Sequence, residues 1–149
     1  MARFQYKMQN ILDIKYKLET QAKTAFSAAA ARLMQEEEML KGLRNRRETY
    51  EEEAKALVRE RLDVPRIKMN QMAIEVMKEK IRNQAVAVHV AQRNLEAARV
   101  KLNEVMTERK THEKLKEKEF EEFKREIESE ESKAIDELVS YSYQGKKTK

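Results

Sequence analysis

Leu62-Asp63-Val64-Pro65 holds the only proline of a 149-residue chain, and nearly everything on either side of it reads as helix. Proline has no N–H, is tolerated in the first helical turn, and pushes the preceding residue out of the helical region. Asp63 is a good N-cap: its carboxylate accepts from free first-turn N–H groups and suits the positive end of the helix dipole. The stretch therefore predicts two long helices, one ending near Arg61 and one starting near Pro65. A single helix kinked at Pro65 would leave its apolar stripe uncovered. The predicted fold class is all-α, two long helices forming an antiparallel coiled-coil hairpin. The segments are a first helix over 1–62, a turn over 63–66, a second helix over 67–141 and a basic disordered tail over 142–149.

Composition agrees. Charged residues make up 40% of the chain, aromatics 6%, glycine occurs twice and tryptophan is absent. That is the make-up of long helices joined by a narrow seam rather than of a large core. There is no cysteine, hence no disulfide and no thiolate metal site. No apolar run is long enough to span a membrane, and Met-Ala-Arg-Phe-Gln-Tyr-Lys has no signal-peptide h-region. The net charge of +5 divides as +3 in residues 1–62 and +2 in residues 63–149. Its densest cluster, Lys41, Arg44, Arg46 and Arg47, lies between Glu36-Glu37-Glu38 and Glu51-Glu52-Glu53, unlike a phosphate-tracking surface.

The first helix carries two apolar series at seven-residue spacing. Phe4, Ile11, Leu18, Ala25 and Met39 form one, with Arg32 standing in it; Met8, Ala22, Ala29, Leu43, Tyr50 and Leu57 form the other, with Lys15 and Glu36 as exceptions. Offset by four, they predict an a/d seam. A neighbouring stripe of Leu12, Phe26, Leu33 and Leu40 widens the apolar face and is expected to point outward to a partner. In the second helix Ile67, Ile74, Ile81, Val88, Leu95 and Leu102 repeat every seven residues. The pattern then fails over the polar run Thr107–Glu119 and resumes at Phe120, Phe123 and Ile127 in a shifted register, a heptad discontinuity.

A turn near 62–66 opposes residue i to roughly residue 128 − i, to within about one turn of ~3.6 residues. That register sets Glu51-Glu52-Glu53 near Lys78, Lys80 and Arg82, and the basic start near the acidic run Glu113 to Glu131. Exposed ion pairs of ~0–1 kcal/mol select such a pairing; apolar burial drives it.

Catalytic chemistry is missing. His112-Glu113-Lys114-Leu115-Lys116 begins like a zinc-protease HExxH motif but lacks the second histidine. There is no glycine-rich phosphate loop, and no paired carboxylates are marked for acid–base work. The expectation is a non-enzyme without a cofactor. Met69, Met72 and Met77 serve either to fill the seam or to offer a flexible partner surface.

Two segments carry a resemblance. One is Phe4-Gln5-Tyr6-Lys7-Met8-Gln9-Asn10-Ile11-Leu12-Asp13-Ile14-Lys15, followed by Glu19 and Ala22. The other is Glu108-Arg109-Lys110-Thr111-His112-Glu113-Lys114-Leu115-Lys116-Glu117-Lys118, continuing to Asp136-Glu137-Leu138. Together they resemble the FliJ family of bacterial flagellar export proteins, over essentially the whole chain. The resemblance implies a cytoplasmic coiled coil, peripherally held at the inner face of the cell membrane, acting in type III export. Its partners would be the hexameric export ATPase (FliI), the cytoplasmic domain of the export gate (FlhA) and export chaperones. The ATPase-facing end would carry Phe4, Met8, Ile11, Leu12, Lys15, Phe123, Ile127 and Leu138; the gate-facing patch would carry Leu43, Arg46, Tyr50, Met72 and Val76. Family members often have aromatic residues where this chain has Arg46 and Met72. The competing readings are a stalk subunit of a virulence secretion system or rotary ATPase, a self-associating structural coiled coil, and a nucleic-acid binder.

Overall fold

The computed structural model describes residues 3–147, with side chains to Gly145. Thr148 and Lys149, the end of the predicted tail, lie outside the described residues, as do Met1 and Ala2. The fold is all-α: α1 (Gln9–Arg59) and α2 (Val64–Lys147) form an antiparallel coiled-coil hairpin. Asp63 caps α2 as its chemistry predicts. Its Oδ1 accepts from the Arg66 N–H at 3.4 Å and its carbonyl from Ile67 at 3.1 Å. Pro65 sits in the first turn, where no N–H is required.

The first helix stops at Arg59, before the expected Arg61. Leu57 is its last half-buried residue, and Val58 and Leu62 are exposed, so no packing extends it. Residues 3–8 precede helix α1 because Phe4 and Tyr6 tuck inward instead of winding on. At the other end α2 remains helical to Lys147, where a disordered tail was expected from 142.

The chain divides into two compact units, Thr20–Glu104, and Met1–Glu19 with Val105–Lys149. In the first of these, inward positions of α1 run Ala22, Phe26, Ala29, Leu33, Glu36, Leu40, Leu43, Arg47, Tyr50, Ala54 and Leu57. They alternate three and four apart, the spacing of a coiled-coil seam. The row Ala22, Ala29, Leu43, Tyr50 and Leu57 is inward as expected. Its companion is the Leu12-type stripe, not the Ile11-type series. Leu40 is buried, whereas Met39 is 57% exposed. The two candidate companions flank the shared row equally. Charges interrupt both, Arg32 and Arg46 in the Ile11 series and Glu19 and Arg47 in the stripe that the structure uses, so completeness does not separate them.

On α2 the inward positions of this unit are Ile67, Asn70, Ile74, Met77, Ile81, Gln84, Val88, Ala91, Leu95, Ala98 and Leu102. Two polar layers lock them to α1. Asn70 Nδ2 donates to the Tyr50 carbonyl at 3.0 Å, and Gln84 Nε2 donates to the Glu36 carbonyl at 2.9 Å and to its carboxylate. The expected register opposed Tyr50 to Lys78 and Glu36 to Gln92. The shift is confined to this unit: in the other, Arg109 pairs with Glu19, the partner that the expected register gives. Glu51 consequently accepts from Arg47 (3.0 Å) and Lys78 pairs with Glu75 (3.2 Å), each within its own helix.

Candidate partner-binding site

In the unit built from both chain ends, the polar run Thr107–Glu119 is no gap in the seam. Val105, Arg109, His112, Lys116 and Phe123 continue the inward positions of α2 at heptad spacing. The register shift expected here is confined to Phe120 and Ile127, one position beyond the heptad companion. Polar residues occupy the seam because α1 answers them. Arg109 donates to Glu19 at 2.6 and 3.2 Å and to Glu113 at 2.9 Å. Tyr16 Oη donates to Glu113, and Lys15 pairs with Glu108 at 2.8 Å. Glu19 is only 5% exposed, and charge-assisted forked pairing is what makes a carboxylate tenable there. The sequence reading missed this cluster. Its signal was two opposite charges, Glu19 and Arg109, each standing at a heptad position of its own helix.

The cluster has directional titration. Tyr16 holds Glu113 below the ordinary carboxylate value of 4.5 by hydrogen bonding, against desolvation, with Arg109 adding to the effect. Tyr16 is raised above 10.0, chiefly because Glu113 holds its proton. Arg109 is raised chiefly by the bond to Glu19. The Glu113 contribution to stability is present above its unfolded value and lost as pH falls through the lower folded one. The Tyr16 contribution is present below 10.0 and lost as pH rises through its raised value. Melting temperature should therefore fall at both extremes. Tyr16→Phe should remove part of each limb when wild type and variant are compared across pH by circular dichroism.

The residues predicted to face the ATPase all lie in this unit. Phe4 packs edge-on against Phe120 (5.1 Å between centroids, 64°) and against Phe123 (5.4 Å), and Lys124 Nζ lies 4.7 Å over Phe120. Leu12, expected to point outward, is 1% exposed and is the most buried large side chain of the described residues. Lys15, Phe123 and Ile127 are half-buried. Met8, Ile11 and Leu138 are exposed, Leu138 by 69%. Every residue from Glu128 to Ser142 is exposed, including Ile135, Leu138, Val139 and Tyr141. This stretch of α2 presents an apolar face without cover in its unit.

The five residues predicted to face the gate are not gathered into one patch. Leu43 and Tyr50 lie half-buried in the seam, and Arg46 is exposed beside it. Met72 and Val76 lie on α2 two residues beyond the seam positions Asn70 and Ile74, about 200° round the helix. There they line a shallow apolar groove with Lys68, Gln71 and Glu75. Among the described residues no His/Cys/Asp/Glu group is placed to hold a metal, and no helix is long and apolar enough to cross a membrane.

Among the described residues, the apolar surface of the hairpin divides between the seam and the exposed faces. The chain belongs to the FliJ family: it matches the family described as Flagellar FliJ protein over residues 4–148. Membership makes it a component of a type III export apparatus. No curated protein matches it in sequence. The solved structure of CT670, described as a YscO homologue from Chlamydia trachomatis, is similar in fold, with a TM-score of 0.78. The similarity covers 99% of each chain at 21% identity.

Proposed function

We propose that this chain is a non-catalytic stalk of the flagellar export apparatus that binds the hexameric export ATPase through its terminal unit, promotes its assembly and activity, and links it to the membrane export gate. The observation that carries this reading is the uncovered apolar face of α2 beyond Ile127, together with exposed Met8 and Ile11. Such a face is stable in water only at a cost that a partner removes. Within residues 128–145, carboxylates Glu128, Glu130, Glu131, Asp136 and Glu137 border it, against Lys133 alone, which suits a basic-rimmed apolar socket. The gate contact is assigned to the other unit, around Met72 and Val76. Export chaperones are further partners of the same apparatus. The protein works in the cytoplasm, held at the inner face of the membrane by these partners.

The test is ATP hydrolysis by the purified export ATPase with and without the chain. The chain alone should be inactive, and stimulation should saturate with it. Met8→Asp, Ile11→Asp and Leu138→Asp combined should reduce stimulation by about tenfold or more while melting stays near wild type, since all three side chains are exposed. Full stimulation by that variant would refute the assigned end.

A further inference from the structure

Within the unit Thr20–Glu104, the faces of the two helices turned away from the seam differ. On α1 that face carries Gln21, Thr24, Gln35, Glu38, Asn45 and Thr49, with Met34 as its one large apolar side chain. On α2 it carries Met69, Met72, Val76, Val86, Val90 and Val100, all exposed, by 47% (Val76) to 72% (Met69). These six, with Glu79, Asn83, Arg93 and Ala97, keep the three–four alternation of a coiled-coil seam. Valine is a poor helix former, and nothing in the hairpin needs it at an exposed position. Helix α2 thus has a second seam opposite the first.

That seam matches itself when reversed. An antiparallel copy centred between Asn83 and Val86 sets Met69 against Val100, Met72 against Ala97, Val76 against Arg93 and Glu79 against Val90. Glu79 and Arg93 are its only charged residues between Met69 and Val100. In this arrangement each Glu79 falls one layer, about 5 Å along the axis, from the second copy's Arg93. A parallel copy would set Glu79 on Glu79 and Arg93 on Arg93. Neither residue makes an ion pair within the chain among the described residues. Two shallow apolar grooves complete the match. One is lined by Met72 and Val76, the other by Arg93, Ala97 and Val100, so each would receive side chains of the other copy.

We propose that the outer face of α2, from Met69 to Val100, binds a second copy of this chain in an antiparallel, two-fold pairing closed by reciprocal Glu79–Arg93 ion pairs. Two-fold pairing of one patch with itself is the commonest oligomer geometry. The pairing is independent of the ATPase reading. It covers Met72 and Val76, so a paired copy does not present that part of the gate-facing surface.

Sedimentation of the full chain across concentration tests it. A reversible monomer–dimer equilibrium is expected. Glu79→Arg or Arg93→Glu alone should raise the dimer dissociation constant by about tenfold, because each creates two like-charge contacts. Combining them should restore pairing. Val86→Glu with Val90→Glu should leave a monomer whose circular dichroism and melting match wild type, since both side chains are exposed. The chain has no cysteine, so Asn83→Cys supplies a single reactive site; a short bismaleimide should link two such copies, and Asn45→Cys on the polar face of α1 should not link. A chain monomeric at every concentration would overturn the proposal. So would a dimer indifferent to Val86→Glu with Val90→Glu, or one that links through position 45.

Discussion

Leu12→Ala should destabilise the protein by about 2–5 kcal/mol, whereas Leu18→Ala should change stability by no more than about 0.5 kcal/mol. The two leucines lie on the same helix, six residues apart, and composition does not distinguish them. Leu12 is 1% exposed and Leu18 is 38% exposed. Truncating Leu12 removes the transfer free energy of a buried side chain and adds the cost of the cavity that it leaves. Truncating Leu18 returns a partly solvated side chain to water. Urea unfolding followed by circular dichroism measures both; a loss of midpoint at unchanged slope marks a change in stability. Equal losses, or a larger loss at Leu18, would reverse the assignment of the seam.

The second large effect lies at the polar layer formed by Glu36 and Gln84. Glu36 is 7% exposed, accepts from Gln84 at both its carbonyl and carboxylate, and pairs with Arg32 at 2.9 Å on its solvent side. Gln84→Leu should cost about 1–3 kcal/mol, because the buried acceptors lose their donor while the desolvation of Glu36 remains. Glu36→Leu with Gln84→Leu should recover that loss and exceed wild-type stability, because an apolar layer removes both desolvation penalties. The double variant should also lose specificity. A polar layer permits one register, whereas leucine facing leucine tolerates neighbouring ones. Double-mutant-cycle unfolding gives the sign of the coupling, and sedimentation detects alternative association. If the double variant were less stable than Gln84→Leu, the layer would be a net source of stability rather than of register.

Much of the fold was legible in the chain. Pro65 after Asp63 placed the break, since a ring without an N–H fits only a first turn and a carboxylate fits the N-cap. The periodicity of Ile67, Ile74, Ile81, Val88, Leu95 and Leu102 placed the inner face of α2. The contact of Phe4 with Phe123 was also open to inference, because the register 128 − i sets Phe4 within one residue of Phe123. So was the pairing of Glu19 with Arg109, because the register 128 − i sets 19 against 109; burial of Leu12 and separation of Tyr50 from Met72 were not.

The sequence by itself determined two helices, their hinge and the inner row of each. Those features depend on local spacing and on the chemistry of single residues. The tertiary structure alone decided which of two flanking stripes joins the shared row of α1, because both obey the same period and only the partner helix distinguishes them. It also decided that a polar run continues the seam. Arg109 and Glu19 stand 90 residues apart, and their charges become an asset only where antiparallel helices bring them within 2.6 Å.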